Sequence, residues 1–458
     1  MGDLLTLTLA RWASRLSYED LTADSVGAAK RFLFDSLGCA FGGALTEDVK
    51  IAEAHVAEKE AKGQATVHVS GLRTHVVEAA FLNSLMIRAM DYNDIYWKQD
   101  PSHPSDIIPA AMTICERDGL SGRDLILGIV LGHEIEMRLC EFAFPGIRER
   151  GWHHATLTAY AAPIVAARML GLDAVKTQHA IGISASRHFT LGAAVAGKLT
   201  MMKNTVDPMA TRAGVEGALL AQRGYTGPEN VLDGKEGMFH CLGPDWDAAK
   251  LIGGLGDGFK ISQCGMKAFP TEALTHAPIT ATLYLLREHD IAADDVKEVR
   301  IQTLARAADI LSDPSKYDPQ SKETADHSLP YCIAAAIVER RVTPREFKES
   351  KIFDPKVREQ LKKIKVEANP EFEKLFPRIQ PCHVAIETAD GRTFERRVDI
   401  PKGDPRDPMT EEDLRIKFDS LASPSFSEER RRRIRETVFH LESLENVGVL
   451  ADLCVGDL

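Results

Sequence analysis

The sequence predicts a mainly α-helical protein with a large all-α domain formed by both chain ends and a smaller α+β domain inserted between them. Residues 20–265 contain one amphipathic helical segment after another, whereas alternating apolar and polar positions typical of strands appear at 296–400. Helical spacing returns after residue 408. We therefore expect a helical segment at 1–265, an α+β domain at 266–402, and C-terminal helices at 403–458 that return to the helical domain.

Apolar side chains recur at helical spacing throughout the first segment. The predicted helices are 25–43, 76–90, 106–118, 122–144, 154–170, 174–188 and 208–223. Glycines inside them, such as Gly43 and Gly128, permit the close helix contacts of a large bundle. Ser105 or Asp106 is a good N-cap for the helix that runs to residue 118.

The central part of the chain alternates as half-buried strands do. The predicted strands are 296–303, 363–368, 383–388 and 393–400. The last two flank a turn that contains Asp390 and Gly391, so they form a hairpin. Helices at 271–289 and 328–339 cover one face of this sheet. Beyond it, Thr410 and Asp413 make a capping box variant, and a last long helix is predicted at 428–444.

Composition and charge exclude several classes of protein. Of 458 residues, 44% are hydrophobic and 27% charged, and the net charge of −11 argues against nucleic acid or an anionic membrane as the main partner. A signal peptide and an apolar run of about 18 residues are both absent from the sequence, so we expect a cytoplasmic protein. The 8 cysteines show no CxxC spacing, which predicts reduced core residues and not a zinc or iron–sulfur site.

The most informative segment joins the two apolar helices at 76–90 and 106–118. It places Asp91, Asn93 and Asp94 a few residues before His103. A capped loop with solvated charges is the simplest interpretation of such a pattern. The aromatic residues of the same loop, Tyr92, Tyr96 and Trp97, instead favour a partly buried pocket at the mouth of two packed helices.

Other histidines and lysines provide further candidates. His153 and His154 precede a long helix, whose N-terminus favours a neutral histidine and an anionic ligand. Adjacent side chains at a helix start diverge, so we expect only one of the two to face a site. Lys203 lies in an apolar stretch, and Lys267 lies at the predicted domain boundary, where each could meet an anion. His276 is a weaker candidate of the same kind.

Familiar catalytic motifs are missing from the sequence. It contains neither a phosphate-binding glycine loop nor an HExxH, EF-hand or GxSxG motif. Most nucleotide-dependent, zinc-protease and hydrolase functions are thereby excluded. Acid–base chemistry by His, Asp and Lys side chains on an anionic molecule remains.

The ordered set of short motifs resembles the MmgE/PrpD family over nearly the whole chain. The motifs are DYND at 91–94, HPSD at 103–106, GWHH at 151–154, MKN at 202–204, ATRAG at 210–214, YTGP at 225–228, KAFP at 267–270 and DHSLPY at 326–331. The resemblance implies a homodimer that works without a metal or another cofactor on a small di- or tricarboxylate. It also implies a catalytic set that comprises Asp91, Asp94, His103, His153, Lys203 and Lys267.

The resemblance implies one of three activities: dehydration of 2-methylcitrate, decarboxylation of cis-aconitate or epimerisation of a dicarboxylate. Asn93, Ile95 and the spacing from Asp91 to His103 are closer to the dehydratases, so we expect a hydro-lyase acting on a 2-methylcitrate- or citrate-like hydroxy tricarboxylate. An epimerase, a decarboxylase and a catalytically silent binding protein are the alternatives.

Each predicted site residue has an expected role in the dehydration. We expect His153 to act as the base and His103 as the acid, in roles that the sequence leaves exchangeable, and Asp91 and Asp94 to orient these rings. The expected substrate-binding residues are Lys203, Lys267, His154, Asn93 and His276.

Overall fold

A computed structural model describes residues 4–196, 199–243 and 245–457 of the chain. It is mainly helical, as the sequence predicts. Its contacts divide the chain into two compact units. The first contains the N-terminal residues up to 196, Met201–Cys264 and the residues from Thr410 onward; the second contains Gly265–Met409 with residues 199–200. The predicted assignment of the chain to two domains stays a prediction.

The first unit begins with a long series of helices. They are α1 (Leu5–Arg15), α2 (Ala23–Gly43), α3 (Glu47–Ala57), α4 (Val76–Arg88), α5 (Ile108–Asp118), α6 (Gly122–Leu139), α7 (Ala155–Met169), α8 (Ala174–Ala185), α9 (Met202–Gln222), α10 (Met238–Leu242) and α11 (Ala248–Ile252). Short strands connect some of them: β1 (Ala65–Thr66), β2 (Arg73–Thr74), β3 (Asp94–Trp97) and β4 (Pro101–Ser102).

Small residues let the central helices of this unit approach closely. Helix α9 packs against α4, α7 and α8, and α2 packs against α4. A Cβ atom added to Gly43 would lie 1.9 Å from the carbonyl oxygen of Met86, and one added to Gly128 would lie 2.7 Å from Cβ of Ala111. The glycines thus set the spacing between helices, as the sequence suggested.

Three predicted helix starts are wrong, and two of these errors concern the histidine and aspartate residues of the first unit. The helix predicted from residue 271 begins at His276. Helix α9 begins at Met202 and not at residue 208, because the chain continues helically on both sides of Pro208. Helix α5 begins at Ile108 after a 3-10 turn, Pro104–Ile107, so neither Ser105 nor Asp106 caps it. The hydroxyl of Ser105 binds Asp94 instead.

The second unit contains a mixed four-stranded sheet. Its strands are β6 (Val296–Thr303), β7 (Ile364–Ala368), β8 (Cys382–Thr388) and β9 (Thr393–Val398), and the short strand β5 (Gly265–Met266) precedes them in the chain without joining this sheet. The sheet order is β7-β6-β8-β9, with β6 parallel to β7 and antiparallel to β8. Ile386 pairs with Phe394 in the predicted hairpin. The helices are α12 (His276–Glu288), α13 (Ala305–Leu311), α14 (Lys322–Ala325), α15 (Leu329–Glu339), α16 (Glu349–Ile352), α17 (Pro355–Leu361) and α18 (Pro370–Glu373).

The chain returns to the first unit through three C-terminal helices. These are α19 (Glu411–Ala422), α20 (Glu428–Phe439) and α21 (Gly448–Leu453). The predicted capping box of Thr410 and Asp413 starts α19. All cysteines are free, and all except Cys241 are buried. Among the described residues, every helix is too short or too polar to cross a membrane.

Candidate active site

The acidic segment between α4 and β3 is buried and not a solvated loop. Asp91, Asn93 and Asp94 are at most 2% exposed. Asp91 has a positive φ of 50°, a conformation that costs a non-glycine residue about 1–3 kcal/mol. The turn places its carboxylate 3.2 Å from Nζ of Lys203, and the Arg88 guanidinium also donates to it. The Asp91 carboxylate is therefore held between two cations.

His103 follows β4 and has a defined tautomer in its neutral form. Its Nδ1 lies 2.6 Å from the backbone carbonyl oxygen of Asp94. A carbonyl oxygen only accepts hydrogen bonds, so Nδ1 must carry the proton that it donates. In the neutral ring, Nε2 then has the lone pair. His103 is thus suited to accept a proton at Nε2.

The Asp94 carboxylate holds the turn that leads to His103 and the following 3-10 helix. Its Oδ2 accepts from the backbone N–H of Ser105 at 2.9 Å, and its Oδ1 accepts from the Ser105 hydroxyl at 2.6 Å. Nδ2 of Asn93 donates to the same hydroxyl oxygen at 2.9 Å and to Oδ1 of Asp106 at 3.1 Å. The amide of Asn93, predicted to bind substrate, therefore has intramolecular partners that fix the loop.

His153 and His154 do not diverge, contrary to the expectation from a helix start. Helix α7 begins at Ala155, so both residues precede it and their backbones are free to bring the rings together. The ring centroids are 3.9 Å apart, and that of His154 lies 5.4 Å from that of His103. The three rings, all at most 8% exposed, form what we call the histidine cluster.

Within the histidine cluster, His153 has the opposite tautomer to His103. Its Nδ1 accepts a hydrogen bond from the backbone N–H of Ala155 at 3.1 Å, so the neutral ring carries its proton on Nε2. Burial, reinforced by the nearby charge of His154, lowers the pKa of His153 well below its ordinary value. His153 is therefore a neutral hydrogen-bond donor at Nε2.

Asp207 is a buried carboxylate beside the histidine cluster that the sequence did not single out. Its Oδ2 lies 3.4 Å from Nε2 of His154. Burial opposes ionisation of Asp207, but the His154 charge and hydrogen bond, with smaller effects of His153 and Arg88, hold its pKa far below the usual range. Asp207 lies one helical turn after Lys203, and this i, i+4 spacing was the available signal.

Arg88 was also missed, although it ends an apolar helix directly before the acidic segment. Besides Asp91, its Nε lies 3.8 Å from Oδ2 of Asp106 and 4.0 Å from Oδ2 of Asp207. Burial opposes the charge, but the three carboxyl groups together raise the pKa of Arg88. Burial and the charge of Asp207 raise the pKa of the Asp106 carboxyl well above its ordinary value.

Lys267 and His276 belong to the second unit, where both are buried. Nζ of Lys267 donates to the carbonyl oxygen of Thr271 at 3.0 Å, and Nε2 of His276 lies 3.4 Å from the same oxygen. These two predicted site residues therefore share one backbone carbonyl. Their roles in catalysis and binding stay predictions.

Two groups in the first unit have ligand atoms close enough to hold a metal ion. One consists of Asp94, His133 and Cys264, and the other of His153, His154 and Asp207. In each group the ligand atoms lie within 4.8 Å of one another. Nδ1 of His133 donates to the carbonyl oxygen of Ile129 at 2.9 Å, which turns Nε2 toward Asp94. Metal content is therefore worth measuring directly.

Comparison with known proteins identifies domain families and relatives that the sequence matches. The MmgE/PrpD N-terminal domain matches residues 7–250, and the MmgE/PrpD C-terminal domain matches residues 269–443. The chain is 28% identical to cis-aconitate decarboxylase of Homo sapiens, over 99% of this chain and 95% of that protein. It is 26% identical to cis-aconitate decarboxylase of Aspergillus terreus (strain NIH 2624 / FGSC A1156), over 98% of this chain and 95% of that protein. It is 24% identical to 2-methylcitrate dehydratase of Salmonella typhi, over 85% of this chain and 84% of that protein.

Proposed function

The chain belongs to the MmgE/PrpD family, and we propose that within it the protein is a hydro-lyase that removes water from a 2-methylcitrate- or citrate-like hydroxy tricarboxylate. The observation that carries this proposal is the pair of opposite tautomers in the histidine cluster. His103 offers a lone pair at Nε2, and His153 offers a proton at Nε2. An elimination needs a proton acceptor for the C–H bond and a hydrogen-bond donor that orients the departing hydroxyl.

The proposed reaction begins with removal of a proton from the carbon next to a carboxylate. His103 Nε2 takes this proton, whereas the sequence analysis expected His153 as the base and His103 as the acid, with exchange of the two allowed. Negative charge then builds on the carboxylate of the substrate, and the cations Lys203 and Arg88 stabilise it without a metal ion.

The hydroxyl group on the neighbouring carbon leaves as water when its oxygen receives a proton. His154 supplies it, and the Asp207 carboxylate lies 3.4 Å from Nε2 of this ring. His153 orients the same hydroxyl through its Nε2–H. The C–H and C–O bonds break, a carbon–carbon double bond forms, and water leaves. His103 then returns its proton to solvent, while His154 regains one.

Decarboxylation of a cis-aconitate-like substrate is the second candidate. The identity to proteins named cis-aconitate decarboxylase, 28% and 26% over nearly the full chain, favours it. Loss of carbon dioxide leaves a carbanion that needs only a proton donor, so the His103 lone pair would have no step to perform. Because dehydration uses this lone pair and decarboxylation does not, we place dehydration first.

Product analysis with chelator-treated protein separates the two candidates. We expect 2-methylcitrate or citrate to give the ultraviolet absorbance of a conjugated double bond, whereas a decarboxylase would release carbon dioxide from cis-aconitate. His103→Gln should lower the dehydration rate by about 10²–10⁴-fold, the usual contribution of a general base. The same exchange at the exposed His440 is the control. Carbon dioxide release without dehydration, or dependence on added metal, would overturn the proposal.

A further inference from the structure

Glu136 in α6 is a buried acid outside the proposed catalytic set. It is 0% exposed. Its Oε1 accepts hydrogen bonds from the hydroxyl groups of Ser102 and Thr158, the latter at 2.9 Å. Within the part of the chain that the structure describes, its Oε2 has no hydrogen-bond partner. Burial of a charged carboxylate with two neutral donors is strongly unfavourable, so the geometry favours the protonated acid.

A second buried glutamate of the same helix is ion-paired, in contrast to Glu136. Glu134 is also 0% exposed, but its Oε1 accepts from Nε of Arg138 at 2.5 Å. Its Oε2 accepts from the backbone N–H of Lys260 at 2.7 Å. Glu134 is thus hydrogen-bonded to a guanidinium and to a backbone N–H. Glu136, two residues later, has neither a cation nor a backbone N–H among its hydrogen-bond partners.

Glu136 is connected to the histidine cluster through one hydroxyl group. Oγ1 of Thr158 lies 2.9 Å from Oε1 of Glu136 and 3.3 Å from Oδ1 of Asp207, whose Oδ2 faces His154. A hydroxyl has one proton to donate. An ionised Glu136 would compete with Asp207 for that proton and would add a negative charge beside it.

The charge around the histidine cluster limits which ligands can bind. Apart from Asp100, whose carboxylate accepts two backbone N–H groups, its buried acids are Asp91, Asp94, Asp106, Asp207 and Glu136, and its buried cations besides histidine are Arg88 and Lys203. If all five acids were ionised, a polycarboxylate would meet a strongly negative environment. We propose, resting on the proposed function, that Glu136 works as a neutral carboxylic acid whose proton allows the histidine cluster to accept a polycarboxylate substrate.

The proposal predicts a loss of substrate affinity at alkaline pH. Burial raises the pKa of Glu136 to about 8, against a smaller opposing effect of the Ser102 and Thr158 hydrogen bonds. The titratable groups that interact with it are Asp94, Asp106, Cys140 and Asp207. The acids among them favour the protonated form further. Affinity for a polycarboxylate is therefore present below pH 8 and falls as the pH rises through it.

Titration calorimetry with propane-1,2,3-tricarboxylate, which has no hydroxyl group to lose, tests the proposal. We expect wild-type affinity to fall about tenfold per pH unit above the Glu136 pKa. Glu136→Gln, which mimics the neutral acid, should lack this fall. The ratio of the Glu136→Gln affinity to the wild-type affinity should therefore rise about tenfold for each pH unit above the Glu136 pKa. Glu216→Gln, at an exposed ion pair with Arg187, is the control and should follow the wild type. Parallel pH curves for wild type and Glu136→Gln would overturn the proposal.

Infrared spectroscopy of the wild type gives a second measurement that needs no variant to fold. With ¹³C-labelled glutamate, a protonated Glu136 gives an isotope-shifted carboxylic acid C=O band at neutral pH, which disappears as the pH passes about 8. Absence of that band would overturn the proposal. Neither measurement involves turnover. A failed dehydration assay would therefore contradict the proposed reaction, and a failed infrared or calorimetric test would contradict the role of Glu136.

Discussion

Lys203 is 1% exposed, and its ammonium group lies 3.2 Å from the Asp91 carboxylate, which Arg88 also contacts. The Asp91 carboxylate is thus shared by two buried cations, one of which also faces the carboxyl groups of Asp106 and Asp207. The strained turn at Asp91 is the backbone feature that holds this arrangement, since it directs the carboxylate into the unit. At the scale of single residues, the site consists of buried charged side chains that pair with one another.

The residue-scale prediction is that Lys203→Met lowers kcat more than it raises KM. The lysine stabilises charge that develops in the transition state, and loss of one such group typically costs about 10²–10³-fold in kcat. Steady-state kinetics on the dehydration substrate gives the two parameters separately. Lys50→Met, at an exposed lysine, provides the matched control and should leave both unchanged. A pure KM effect in Lys203→Met would show that the lysine only binds substrate.

At the scale of elements, the site depends on where helices begin and how closely they pack. Helix α9 starts at Met202, so Lys203 and Asp207 lie one turn apart on the same helix face. Helix α7 starts only at Ala155, so the rings of the two preceding histidines can lie against each other. Helix α4, which ends at Arg88, is held against α2 at a distance that only glycine allows at position 43.

The element-scale prediction is that Gly43→Ala destabilises the protein and Gly27→Ala does not. Both glycines lie in α2. A Cβ at position 43 would lie 1.9 Å from a backbone oxygen of α4, whereas one at position 27 would meet only the flexible Arg31 side chain at 3.6 Å. Overpacking of this kind costs about 1–3 kcal/mol, while the helix propensity of alanine favours Gly27→Ala. Denaturant unfolding measures both, and equal stabilities would contradict the described helix contact.

At the scale of the whole molecule, Glu136 couples stability to pH. Its pKa rises from an ordinary 4.5 to about 8 in the folded protein, so between these values the folded state binds one more proton than the unfolded state. Stability therefore falls with rising pH across this window, by up to about 1.4 kcal/mol per unit, and levels off above it. Glu136→Gln should lack this loss, so its stability relative to wild type should grow from acidic pH to about pH 8. Thermal unfolding over this pH range measures it, and a constant difference would contradict the raised pKa.

Much of the helical framework could be predicted because periodicity is a local property of the sequence. Helix α2, strand β6 and the hairpin of β8 and β9 follow directly from apolar spacing and turn residues. Helix starts near the site could not be predicted as well. The turn at Pro104 and the continuation of α9 through Pro208 depend on neighbours distant in the chain, which override local propensity. The homodimer that the resemblance implies stays a prediction.

The sequence by itself determined the mainly helical class, the family and the presence of Asp91, Asp94, His103, His153 and Lys203 as chemically suited residues. These follow from residue types and their spacing along the chain. Only the tertiary structure decided which groups meet: Arg88 with three carboxyl groups, Asp207 with His154, and Glu136 with two hydroxyls and no cation. Tautomers and protonation states depend on hydrogen-bond partners and burial, and both of these arise only when helices from distant parts of the sequence pack together.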